Sequence, residues 1–83
     1  MGLPFKRANV YKFWHRLGKT RRLKYVMVDT GRYAKREAER FLKKKGVQVA
    51  GKLKFCRIII IVSDEKKVEP KLVTRRWIEY GPV

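Results

Sequence analysis

The residues that could do chemistry here in numbers are lysine and arginine, 23 of them against 7 aspartates and glutamates in a chain of 83, a formal charge of +16. Such groups neutralise phosphates and release the counterions condensed on a nucleic acid, and that release drives binding. Residues 1–28 carry Lys6, Arg7, Lys12, Arg16, Lys19, Arg21, Arg22 and Lys24 with no acid among them. Residues 32–54 add nine cations against Glu37 and Glu39, and residues 55–83 hold six against Asp64, Glu65, Glu69 and Glu79. A basic surface kept for solubility normally intersperses both signs. This one does not, so its self-repulsion opposes the compact state until a polyanion relieves it.

The residue types of catalysis are sparse. His15 is the lone histidine, with no acid within one helical turn, so a proton-transferring couple has to draw on distant Asp29, Asp64 or Glu79. Cys56 is the lone cysteine, which rules out an internal disulfide and a cysteine-based zinc site and favours a reducing, cytoplasmic compartment. It alternates with Ile58 and Ile60, the pattern of a buried, inert thiol. Gly18-Lys19-Thr20 matches only the end of a phosphate-binding P-loop, because Phe13 stands where the motif's first glycine belongs. No cofactor, metal or small-molecule substrate is expected. A small, toxin-like ribonuclease working through Arg, Lys and Tyr is the minority enzyme reading, since an electropositive cleft can stabilise a phosphoryl transition state.

Binding is the better reading, and it selects particular residues. Arg36, Arg40, Lys43 and Lys44 recur at helical spacing, with Tyr33 starting the same stripe. Lys12 and Arg16 repeat that design upstream, and Lys19, Arg21 and Arg22 form a basic loop after Gly18. Each cation is expected to contact phosphate. Rings interleave with these charges, as unpaired RNA bases would require for stacking. Phe13, Trp14, Phe41, Phe55 and Trp77 are assigned to the core, and Tyr11 and Tyr33 to contact.

The elements that must position these residues follow from periodicity. Val10, Phe13, Trp14 and Leu17 fall on one helical stripe, predicting a helix over 9–17 that Gly18 terminates. A strand is expected over 23–28, and a helix over 32–45 with Ala34, Ala38, Phe41 and Leu42 on its buried side and Gly46 as its stop. Val47–Val49 reads as a short strand, 50–52 as a turn, and 53–63 as a central strand apolar on both faces. Residues 73–80 read as a last strand, closed by Gly81 and Pro82. The expected fold is a small single α+β domain over 1–83, in the order α-β-α-β-β. It contains a βαβ unit, a three- to four-stranded mixed sheet and an extended basic arm over 1–8.

No stretch is apolar enough to span a bilayer, and the N-terminus lacks the apolar run of a signal peptide. A single Asn and a single Gln among many charges is the pattern of thermophile proteins. The sequence therefore points to a non-enzymatic nucleic-acid-binding domain, with RNA favoured over DNA, as a small ribosomal or other ribonucleoprotein component. The alternative is a DNA-binding chromatin, plasmid or viral regulator. That reading wants two helices joined by a short turn, whereas a strand separates the two expected here.

Overall fold

A computed structural model describes residues 4–80. The elements are strands β1 (Phe5–Leu17) and β2 (Thr20–Asp29), helix α1 (Ala34–Lys44), strands β3 (Val49–Val62) and β4 (Lys71–Val73), and helix α2 (Arg75–Tyr80). They form one four-stranded sheet in the order β3-β1-β2-β4, with every neighbouring pair antiparallel. This overturns the expected α-β-α-β-β order and the mixed sheet. β2 and β3 run in the same direction, but β1 lies between them, so the helix crossover creates no parallel ladder.

The largest correction is the first element, a strand where a helix was expected. Phe5, Val10, Tyr11, Phe13 and Trp14 are β-branched or aromatic and suit a pleated surface. β1 is central, and over residues 8–13 it contributes to cores on both faces of the sheet. Ala8 and Val10 pack to one side, Tyr11 and Phe13 to the other, and this double burial mimics helical spacing. Gly18 is a hairpin residue, not a helix cap. Leu17 pairs with Thr20, leaving Gly18-Lys19 as a two-residue loop. Gly18 has φ 62 and no residue but glycine takes positive φ among the described residues, which makes the turn type II′, the kind whose twist matches paired strands. Of the expected basic arm, residues 5–8 lie inside β1, and residues 1–3 fall outside the described residues.

Helix α1 packs on one face of the sheet. Ala34, Ala38 and Leu42 meet Tyr11, Phe13, Val26, Val28 and Leu53, with Phe41 at the margin. The helix ends at Gly46 (φ 74): the Gly46 N–H donates to the Lys43 carbonyl and the Val47 N–H to that of Leu42, a Schellman closure. The opposite face is covered by α2 and the loop before β4. There Ile78 and Val68 pack on Ala8, Val10, Met27, Ile59 and Ile61.

The isoleucine strand is also corrected. β3 is the sheet's edge, not its centre, and it is one continuous strand where a strand, a turn and a second strand were expected. Two irregularities allow this. Val10 faces Arg57 while Tyr11 faces Phe55, leaving Cys56 as the extra residue of a bulge. Further along, Lys12 faces Lys54 and Trp14 faces Ala50, with Gly51 between them at φ 84. The last expected strand is mostly helix. Thr74 caps α2, its Oγ1 accepting the Trp77 N–H at 3.2 Å, and Arg75 pairs with Glu79 one turn on. Gly81 and Pro82 lie outside the described residues. No helix among the described residues is long and apolar enough to cross a membrane.

Candidate nucleic-acid interface

Side chains alternate across a strand, and residues opposite one another in an antiparallel pair share a face. Val10 and Met27 are opposite each other beneath α2, and they mark the side from which a second, uncovered surface extends toward the hairpin turn. Along that side Lys12 faces Tyr25 on β2 and Lys54 on β3. Trp14 comes next, opposite Leu23 and Ala50, and then Arg16 opposite Arg21. Arg57 adds a cation opposite Val10. The result is a sheet surface of rings and aliphatic groups framed by cations.

Trp14 lies at its centre. The ring is 49% exposed, so its assignment to the core is corrected. With Lys12, Leu23, Ala50, Lys52 and Lys54 it lines a hollow of ≈ 360 Å³. A tryptophan held on a strand, with cations across the sheet and two residues along, is a stacking platform for a planar, negatively tethered group such as a nucleotide base.

The electrostatics point the same way. Lys12 directly opposes Lys54 and Arg16 directly opposes Arg21, and like charges in that arrangement are destabilising. The ion pairs among the described residues are Lys67–Glu37 (3.0 Å) and Arg75–Glu79 (2.9 Å), and neither touches this surface. Its positive charge is uncompensated within the fold.

The cations expected from sequence therefore divide between two sides of the sheet. Lys12, Arg16 and Arg21 converge on the open face, by strand alternation and beside Trp14, not opposite it on a helix. Lys19 occupies the hairpin turn. Arg22 belongs to β2, not to a loop, and alternates to the α1 side opposite His15. Tyr33, Arg36, Arg40 and Lys44 gather on α1. With Phe41 and Lys67 they line a cleft of ≈ 590 Å³, and the Arg36 guanidinium sits 5.6 Å from the Tyr33 ring centroid. Lys43 is apart from them, in a smaller hollow with Glu39. Tyr11, expected to contact a ligand, is only 7% exposed and packs edge-on against Phe55. Phe55, expected in the core, is exposed, and so is Cys56, whose bulge position breaks the alternation that predicted burial.

Sequence reasoning missed Trp14, Lys52, Lys54 and Arg57. The signal was present as a period of two in Lys12-x-Trp14-x-Arg16 and Arg21-x-Leu23-x-Tyr25. The three-and-four spacing of Val10, Phe13, Trp14 and Leu17 outweighed it. His15 is half-buried, and its Nδ1 has no hydrogen-bond partner among the described residues. Compared with known proteins, the chain matches no family model, no curated protein and no solved structure.

Proposed function

We propose that this protein is a non-enzymatic nucleic-acid-binding domain that takes RNA in preference to DNA, with the open half of the sheet as its principal contact surface. The observation that carries the reading is Trp14, half exposed and set between the like-charge pairs Lys12/Lys54 and Arg16/Arg21. A flat, ring-bearing face suits unpaired bases, which stack on it while their phosphates meet the surrounding cations. The cleft between α1 and the loop before β4, where Arg36, Arg40, Lys44 and Lys67 outnumber Glu37 and Glu69, suits a second RNA segment. A small domain with cations on both sides fits a position among RNA helices, as in a ribosomal or other ribonucleoprotein particle. A cytoplasmic setting belongs to the same proposal.

One feature favours DNA as the second reading. The β1–β2 ribbon ends in a tight turn carrying Arg16, Lys19, Arg21 and Arg22, and a two-stranded ribbon fits the major groove.

The test is a salt titration of affinity for single-stranded RNA, folded RNA and duplex DNA, on the native chain and on Trp14→Ala. If the open face holds a single strand through about five cations, the log–log salt slope is about −3.5. Loss of one stacked base costs about 1–3 kcal/mol, so Trp14→Ala weakens single-strand binding roughly 5- to 150-fold and duplex binding little. Failure to bind RNA or DNA at near-physiological ionic strength by a folded protein overturns the reading. A Trp14→Ala loss confined to duplex DNA supports the ribbon reading instead.

A further inference from the structure

β3 ends the sheet, and no described strand lies on its outer side. The end of the strand, residues 58–62, carries no charge. Ile59 and Ile61 are buried beneath α2 and the loop before β4. Ile58, Ile60 and Val62 are 50%, 62% and 54% exposed. They pair with Asn9, Arg7 and Phe5 on β1, which places them on the side of the sheet that α1 covers only further along. Phe5 is exposed beside them. Edge strands are normally protected by lysines, prolines or bulges. β3 has such devices earlier along its length, where Lys52, Lys54 and the Cys56 bulge stand, and none over residues 58–62.

We propose that two copies of this chain associate through Ile58–Val62 of β3, antiparallel about a two-fold axis at Ile60, to form one continuous eight-stranded sheet. Three features select a second copy as the occupant. The outward N–H and C=O groups of an edge strand are satisfied in full by another strand. The segment is self-complementary: the axis sets Ile60 against Ile60, Ile58 against Val62 and Ile59 against Ile61, so apolar meets apolar at every position. The flanking charges also match. Antiparallel pairing sets the Val62 end of each β3, from which Asp64 and Glu65 lead off, beside the Arg57 end of the other, so the fold's scarce acids approach its abundant cations. A nucleic acid is the poorer occupant, because the edge itself carries no cation between Arg57 and Lys66. The axis is perpendicular to the sheet, so both open cationic faces end on the same side of the dimer.

Sedimentation equilibrium of the full chain across micromolar concentrations is expected to show a dimer. Ile60→Lys, at an exposed position that leaves the core intact, is expected to give a monomer with an unchanged circular dichroism spectrum. A second variant tests the register. Residues directly opposite in an antiparallel pair have Cα atoms about 4.5–5.5 Å apart, within disulfide reach. Cys56→Ser with Ile60→Cys is therefore expected to oxidise to a covalent dimer, and Cys56→Ser with Leu72→Cys, on the opposite edge strand, is expected not to. Native Cys56 lies eight residues from its counterpart along the paired strands, about 27 Å, and does not cross-link. A monomer throughout, a dimer that survives Ile60→Lys, or cross-linking through Cys56 or residue 72 in place of residue 60 overturns the proposal. None of these readouts involves nucleic acid.

Discussion

Lys54 and Lys12 face each other across β3 and β1 with no acid to separate them. In the free protein this pair is a liability, and in the proposed RNA complex it is a clamp on phosphates. The two roles can be separated by one substitution. Lys54→Glu turns a repulsive pair into an attractive one and is expected to stabilise the fold by about 0.5–1 kcal/mol, raising the melting temperature by roughly 3–6 °C. The same change is expected to weaken RNA binding and to flatten its salt slope by about one or more. Calorimetry and a binding titration on one preparation check both signs. If stability and affinity fall together, Lys54 is a structural residue and not a contact.

Among the elements, helix α1 was the most legible. Ala34, Ala38 and Leu42 recur every four residues, and Gly46 stops the helix where the sequence places it. Leu42 is 1% exposed against the sheet, so Leu42→Ala is expected to cost about 2–5 kcal/mol, measurable by urea unfolding, with little change in binding slope. β1 was illegible for a physical reason. A strand buried on both faces loses its period-two signature, and its apolar residues then fall by chance on helical spacing. β3 misled in the opposite sense. An unbroken apolar run normally signals burial on both faces, yet here alternate isoleucines stay exposed at a sheet edge. For the site, the cation types were readable from composition, and the α1 stripe Arg36, Arg40 and Lys44 from spacing. Trp14 was masked: its period of two with Lys12 and Arg16 was outweighed by helical spacing, and its exposure depends on which half of the sheet α2 leaves bare.

For the whole molecule, the formal charge of +16 is spread over a body measuring 51 × 25 × 18 Å. Much of that repulsion acts over distances comparable to the Debye length of about 10 Å at 0.1 M salt. The melting temperature of the free protein is therefore expected to rise as monovalent salt increases from low to moderate concentration, while affinity for RNA falls over the same range. A melting temperature that is flat or falling with salt contradicts this account of the charge. The strand order has a consequence for how the chain acquires its shape. The first of the four strands lies in the interior of the sheet, joined to its hairpin partner by a two-residue link and flanked on its other side by a strand that follows the helix in sequence. Until β3 and then β4 pair with it, both borders of the hairpin stay unfilled. The long-range docking of β3 is expected to be the slow step of folding, and a hairpin cut free of that strand lacks one of its two ladders to the rest of the sheet.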